Sequence, residues 1–314
     1  MKIAFVFPGQ GSQSAGMMAG YGDRAAIRET FTEASTALGS DLWELVQQGP
    51  AETLNQTVNT QPAMLAAGVA VFRAWQAAGG PLPTLLAGHS LGEYSALVAA
   101  GALEFGDAVQ LVRYRAKCMQ EAVPAGAGAM AAVLGLDDDA VRAACKEATS
   151  GDEVAEAANF NAPGQVVVAG HKAAVERAVE AAKTRGAKRA MLLPMSVPSH
   201  CSLMKPASER LRERLSSTAV SVPAVPVFHN ADVATHRDAD AIKSALVRQL
   251  CEPVRWVDTI RTLQANGATQ VVECGPGKVL AGLNKRIGAE VQTFSLADAA
   301  SFEAALTAIR GQGD

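Results

Sequence analysis

One pentapeptide, Gly88-His89-Ser90-Leu91-Gly92, constrains this chain more than any other stretch. Before it runs the apolar Leu85-Leu86-Ala87, which reads as a short buried strand. After it, residues 93–100 have helical composition and stop at Gly101. Strand, G-x-S-x-G, helix is the context in which a serine becomes an exposed nucleophile. The glycines let the strand and helix backbones approach, and the tight turn lifts the hydroxyl into the open. The N-terminus of the following helix then aims the Leu91 N–H at any oxyanion formed at Ser90. An ordinary glycine-flanked turn is the plainer reading, and it would require neither the buried strand nor the helix.

The rest of the chain repeats that alternation. Residues 2–7 form an apolar strand that ends in the glycine-rich turn Pro8-Gly9-Gln10-Gly11-Ser12-Gln13. Helices are expected over residues 61–78 and 105–122, and strands alternating with helices argue for a parallel sheet covered on both faces. The middle differs. After the break at residues 124–128, the pattern runs strand 129–134, helix 137–148, strands 154–160 and 165–169, helix 173–184 and strand 189–193. That β-α-β-β-α-β order is the order of a ferredoxin-like unit. Beyond it the α/β pattern resumes: strands near 225–229, 269–274 and 291–295, helices near 241–250 and 257–266, a further helix after the glycine turn at residue 275, and a final helix. The expected architecture is an α/β parallel-sheet unit made of residues 1–126 and 197–314. A small βαββαβ domain, 127–196, is inserted into it.

Composition narrows the function classes. With 314 residues, 49% hydrophobic and 19% charged, the chain can bury the core of a compact α/β enzyme. A net charge of −3 carries no nucleic-acid footprint. The apolar run at residues 3–7 is too short for a signal peptide and no stretch reaches membrane-spanning length, so a cytoplasmic protein without a membrane partner is expected. Five scattered cysteines without C-x-x-C read as reduced thiols, and no metal-ligand cluster is visible.

A serine nucleophile needs a base, and the chain offers five histidines. His171 opens a helix and reads as polar capping. His229 ends a strand, where structural polarity is the plainer role, and His236 lies in a polar loop. His89 precedes the serine, and the turn should aim it elsewhere. His200 sits where the chain returns from the inserted domain, a junction where clefts form. On position alone it is either the base or a junction histidine bonded to backbone. Asp137, Asp138, Asp139, Asp152 and Glu153 lie between serine and histidine but read as solvated faces and helix starts. A Ser–His dyad with a backbone or amide orienter is therefore expected in place of a full triad.

Arg115 is the second unusual residue. On the 105–122 helix it falls inside the apolar stripe of Ala108, Leu111, Val112, Met119 and Ala122, while Arg113 and Lys117 face outward. An inward guanidinium needs a partner, which is either an internal carboxylate or a carboxylate on the substrate. Two glycine loops invite other readings. The loop at Gly9 lacks the third glycine of a dinucleotide fingerprint. In Gly275-Pro276-Gly277-Lys278, Val279 and Val272 replace the Ser/Thr and the first glycine of a phosphate loop. Both read better as tight turns on the edge where α/β sheets place their sites.

Taken together, these motifs resemble the malonyl-CoA:acyl-carrier-protein transacylase family of fatty acid synthesis. The resemblance covers nearly the whole chain and rests on Phe7–Gln13, Gly88–Tyr94, Arg113-Tyr114-Arg115, Asn161–Gln165, Pro198-Ser199-His200 and Glu273–Gly277. It implies an α/β-hydrolase-like core, a ping-pong cycle, and malonyl passing from coenzyme A through Ser90 to the phosphopantetheine thiol of acyl carrier protein. It also implies that His200 is the base, that Arg115 binds the malonyl carboxylate, and that the Gln10 and Leu91 N–H groups form the oxyanion hole. Gln249 matches the family glutamine beside the histidine and takes the orienting role. No cofactor or metal is expected, and a monomer is.

The rival readings are a serine thioesterase or esterase and a non-catalytic carrier-binding subunit. Arg115 and the missing acid argue against the first, and the joint presence of Ser90 and His200 against the second. A transacylase serving a polyketide pathway shares the chemistry and differs only in its carrier. The basic run 183–189 is the densest positive cluster. It is either a solvated helix end or a docking surface for an acidic carrier protein.

Overall fold

The computed structural model describes residues 2–195, 197–288 and 290–311. Residue 196, the expected end of the inserted domain, lies outside them, as do residues 1, 289 and 312–314 of the expected outer unit. The first part of the chain comprises β1 (Lys2–Phe7), α1 (Ala25–Leu38), α2 (Leu42–Gln48), α3 (Ala51–Leu54), α4 (Thr57–Ala77), β2 (Leu85–Gly88), α5 (Gly92–Ala99) and α6 (Phe105–Glu121). The middle holds β3 (Gly128–Leu134), α7 (Asp138–Ala148), β4 (Ala155–Ala162), β5 (Gln165–His171), α8 (Lys172–Thr184) and β6 (Arg189–Leu192). The last part adds α9 (Lys205–Ser216), β7 (Val227–Phe228), α10 (Ala239–Gln249), α11 (Trp256–Ala265), β8 (Ala268–Glu273), α12 (Val279–Ile287), β9 (Gln292–Ser295) and α13 (Ala299–Arg310).

Two sheets result. The first is parallel throughout, in the order β7-β2-β1-β8-β9. Strand alternation divides its side chains between two cores. Ile3, Phe5, Phe7, Leu86 and Val272 enter one, with α1, α4 and α6, while Ala4, Val6, Leu85, Ala87 and Val271 enter the other, with α11 and α12. Both faces are buried, which is why these strands read as apolar runs. The carboxyl ends of β1 and β2 are in register, Phe7 opposite Gly88, so the loops after them lie side by side.

The second sheet is antiparallel, in the order β4-β5-β3-β6. Ala131, Val133, Val166 and Val168 pack against α7 and α8 in a separate core. Met130, Val167 and Ala169 point the other way, toward Cys201 in the returning chain. That second face turns toward the first sheet.

Several sequence expectations shift. Helices α1, α2, α3 and α9 were not anticipated. The buried stripe of α1 interrupts Ile27, Phe31 and Ala34 with Thr30, and α9 buries only Ala207, Ser208, Leu211 and Leu215 in a strongly charged segment. The strand near 225–229 shrinks to Val227–Phe228, because Pro223 and Pro226 before it lack the N–H groups a ladder needs. Asn161 belongs to β4, leaving Pro163-Gly164 as the hairpin turn. No helix among the described residues is long and apolar enough to cross a membrane.

Candidate active site

The glycines of the pentapeptide are there for space. A Cβ on Gly88 would lie 1.9 Å from the Gly92 carbonyl carbon, and one on Gly92 would lie 2.0 Å from the Phe7 carbonyl oxygen. Between them Ser90 takes a left-handed φ of 51°, which puts its Oγ out of the sheet. Three hydrogen bonds hold this turn. The Ser90 N–H donates to Asn230 Oδ1 at 2.7 Å, Asn230 Nδ2 donates to the Gly88 carbonyl at 2.7 Å, and Gln249 Nε2 donates to the Ser90 carbonyl at 2.9 Å.

His200 meets the serine from the opposite side of the cleft, with Nε2 2.7 Å from Ser90 Oγ. Its Nδ1 is 2.7 Å from the backbone carbonyl of Gln249. A carbonyl only accepts, so the proton sits on Nδ1 and the Nε2 lone pair faces the Ser90 hydroxyl. Burial, and after it the neighbouring Arg115 charge, push the His200 pKa down to about 3. The imidazole is therefore neutral at pH 7 and ready to accept a proton. Of the two positions left open for this residue, both hold in part: it bonds backbone through Nδ1 and serine through Nε2.

Arg115 is buried and makes no ion pair among the described residues. Its Nη1 donates to Gln61 Oε1 at 2.8 Å, and its Nη2 to Gln249 Oε1 at 2.9 Å and to Ser90 Oγ at 3.3 Å. Its Nε has no partner, and the Tyr94 ring lies 5.5 Å away. The alternative of an internal ion pair is thus set aside. The guanidinium borders the cavity with neutral oxygens around it.

Gln249 holds the His200 ring through its main-chain carbonyl, while its side-chain amide serves Ser90, Arg115 and Glu93. Glu93 was missed from the sequence. It is wholly buried one turn beyond the serine, and its carboxylate accepts from His229 Nδ1 at 2.7 Å, the Asn230 N–H at 2.9 Å and Gln249 Nε2 at 2.8 Å. An acidic residue in the otherwise apolar 93–100 segment was the available signal. Gln61 and Asn230 carried no comparable one.

The loop after β1 closes on the turn. A Cβ on Gly9 would lie 2.4 Å from the His89 carbonyl oxygen and 3.7 Å from the Leu91 nitrogen. Gln10 and Leu91 accordingly line one cavity of about 150 Å³ with Ser90, His200, Arg115, Met119, Met130 and Met195. A neighbouring cavity of about 250 Å³ shares Gln10, Met119, Met195 and Ser199 with it. A larger groove, about 950 Å³, lies on the outer side of α6 beside Arg113 and Lys117, away from the serine.

Of the other histidines, His89 also lines the cavity but is engaged by Asn161, which lines it too, and the rest have partners of their own. His89 Nε2 pairs with Asn161 Oδ1 at 2.8 Å, His236 Nε2 with Asp232 at 3.0 Å, and His171 Nδ1 accepts from the Val154 N–H at 3.1 Å instead of capping α8. The α12 N–H groups of Leu280 and Ala281 donate to the Glu273 side chain, so that glycine turn already has an internal acceptor. No group of three or more potential metal ligands occurs among the described residues.

The chain matches the family model described as "Acyl transferase domain" over residues 4–313. It is 56% identical to the malonyl CoA-acyl carrier protein transacylase of Salmonella typhimurium, over 98% of this chain and 99% of that one. It is 46% identical to the transacylase of the same name in Bacillus subtilis, over 100% and 99%. Among solved structures, an acyl-carrier-protein S-malonyltransferase of Burkholderia pseudomallei superposes with a TM-score of 0.96 at 59% identity, over 98% and 100% of the two chains. A malonyl-transacylase in complex with a type II PKS acyl-carrier protein gives 0.96 at 52% identity, over 98% and 100%.

Proposed function

Since this chain belongs to the acyl transferase domain family, and is an enzyme that moves malonyl groups onto acyl carrier protein in fatty acid synthesis, we propose that it works in two half-reactions through a malonyl ester on Ser90. The observation that carries the reading is the sharing of Ser90 Oγ between His200 Nε2 at 2.7 Å and Arg115 Nη2 at 3.3 Å. A serine hydrolase uses the first contact. A buried cation beside the nucleophile has a use when the acyl group brings its own carboxylate.

In the first half-reaction Ser90 gives its proton to His200 Nε2 as Oγ attacks the thioester carbonyl of malonyl-CoA. The N–H groups of Leu91 and Gln10 face the developing oxyanion. The imidazolium keeps its Nδ1–H on the Gln249 carbonyl and passes the Nε2 proton to the departing coenzyme A thiolate. In the second half-reaction the phosphopantetheine thiol gives its proton to His200 and attacks the ester, and the proton returns to Ser90 Oγ as the bond breaks. Arg115 holds the malonyl carboxylate throughout. That pairing offsets the charge that opposes His200 protonation, so the base strengthens when a malonyl group is in place. Proton transfer and fixed dipoles suffice for this near-balanced exchange, and the proposal includes no metal or redox cofactor.

The parallel sheet with its elbow serine supports an α/β-hydrolase-like core. The spatial order β6-β3-β5-β4 in a β-α-β-β-α-β chain supports a ferredoxin-like insert at 127–196 within 1–126 and 197–314. A cytoplasmic monomer using coenzyme A thioesters completes the reading. The neighbour complexed with a polyketide carrier favours such a carrier as the alternative acceptor.

Intact mass after incubation with malonyl-CoA tests the proposal. One malonyl mass should appear on the protein and be absent in Ser90→Ala. An adduct that survives the substitution would sink the assignment.

A further inference from the structure

Arg115 lies buried with no carboxylate against it, and its aim depends on two amide oxygens, those of Gln61 and Gln249. A free glutamine amide could turn about its last torsion and present NH₂ to the guanidinium. Gln249 is not free. Its Nε2 donates to Glu93 Oε2 at 2.8 Å and to the Ser90 carbonyl at 2.9 Å. The Glu93 oxygens face three N–H groups, so Gln249 meets Glu93 with its NH₂ and delivers its oxygen to Arg115. Glu93 is fixed in turn by His229 Nδ1 and the Asn230 N–H, and Glu93, His229 and Gln249 are all 0% exposed.

From these contacts we propose that Glu93 is a positioning residue for substrate selection, which aims Arg115 at the acyl carboxylate by gripping the Gln249 amide. The proposal rests on the reading of Arg115 given above. Its electrostatic side follows from the spacing. A carboxylate in direct contact would occupy the guanidinium fork that the substrate needs. One amide away, Glu93 supplies a balancing negative charge and leaves the fork open. Burial lowers the Arg115 pKa, and Tyr94 and then Glu93 act against that fall.

Loading of Ser90 by malonyl-CoA and by acetyl-CoA, each followed by intact mass on the full chain, tests this. Glu93→Ala should lower the malonyl-to-acetyl ratio of loading rates by about tenfold or more, the scale expected when a charge contact loses its aim. Glu93→Gln can still turn an oxygen toward Gln249, and its NH₂ can meet His229, whose Nε2 has no partner and can take the proton. It should keep the ratio within about threefold of the parent, as expected for one retained neutral hydrogen bond. Gln249→Met retains the main-chain carbonyl for His200 but has no amide. In that background Glu93→Ala should change the ratio by less than about twofold, because interacting residues are not additive.

If Glu93→Ala does not fold, Glu93→Asp, one methylene short of Gln249, takes its place. Equal loss of malonyl and acetyl loading, or full additivity with Gln249→Met, overturns the proposal. Arg115→Ala run in parallel separates the two levels. An unchanged ratio there removes the reading of Arg115 itself. A collapsed ratio there beside an intact one in Glu93→Ala removes only the part given to Glu93.

Discussion

Ser90 and His200, whose Oγ and Nε2 meet at 2.7 Å, both hold left-handed backbone, with φ of 51° and 63°. Such a conformation costs a non-glycine residue about 1–3 kcal/mol and persists only where its surroundings enforce it. Asn230 and Gln249 clamp the serine turn, and the His200 N–H donates to the Leu250 carbonyl at 3.0 Å. Among the described residues only Val233, in the loop just after Asn230, shares the left-handed region without being glycine. The strain is therefore concentrated where the Ser90 and His200 side chains are aimed at each other.

His200→Ala should lower the acyl-transfer rate by about 10²-fold or more, the usual scale for losing a general base. His89→Ala and His229→Ala should be far milder at the chemical step. Stopped-flow measurement of single-turnover Ser90 loading would decide it. A mild His200→Ala beside a severe His89→Ala would refute the assignment.

Arg115 should govern both selectivity and pH response. Arg115→Ala should weaken malonyl use and improve acetyl use relative to it, and Arg115→Lys should substitute only in part, since an ammonium cannot make a planar two-point contact. In the proposed cycle neutral His200 is the active form, and burial and then the Arg115 charge hold its pKa down at about 3. Removing that charge raises the pKa, so the acid limb of the kcat/KM profile should move to higher pH in Arg115→Ala. A limb that stays in place or moves down would contradict this. The same depression affects stability. The unfolded histidine takes up its proton near pH 6.5, before the folded one does, so this group favours unfolding as pH falls below about 6.5.

Lys188 and Arg189 should contribute to carrier-protein docking. Within the basic run, Lys183 pairs with Glu180 and Arg185 with Glu147, whereas exposed Lys188 and Arg189 make no ion pair among the described residues. They stand beside Met191 and Leu192, each 41% exposed. Reversing both charges to Glu should raise the KM for acyl carrier protein, most at low salt, and leave loading from malonyl-CoA nearly unchanged. If both half-reactions respond alike, or neither does, the carrier docks elsewhere.

Gly92→Ala should damage the turn itself. The added methyl would overlap the Phe7 carbonyl oxygen at 2.0 Å, a contact with backbone that has no side chain to yield. A loss of about 3 kcal/mol, at the upper end for forcing a methyl into a packed site, is expected by denaturant titration. A variant with parental stability and loading would show that the β1 and β2 loops can separate.

Much of this site was legible because its signals are local. G-x-S-x-G between an apolar strand and a helix requires only neighbouring residues. Arg115 stood out because helical periodicity alone sends it inward. The turn composition at residues 124–128 and the β-α-β-β-α-β order set the middle segment apart as an expected unit, and the return of the chain made His200 a candidate with two readings open. Elements with broken or sparse apolar stripes, such as α1 and α9, left too weak a pattern.

What the sequence by itself determined was the alternation of strands and helices, the nucleophile turn, and an inward-facing cation that needed an acceptor. What only the tertiary structure decided was which groups meet across long separations. Ser90 and His200 are 110 residues apart, and Glu93 and Gln249 are 156 apart. Periodicity reports which face of an element is buried but not what lies opposite, because that depends on how β1, β2, α6 and α10 pack. Gln249 shows the difference most clearly. The family resemblance gave it the orienting role and the residues left a backbone or an amide orienter open, and the carbonyl that meets His200 belongs to the main chain, which every residue carries. Only the path of the backbone after α10 brings that carbonyl within 2.7 Å of Nδ1.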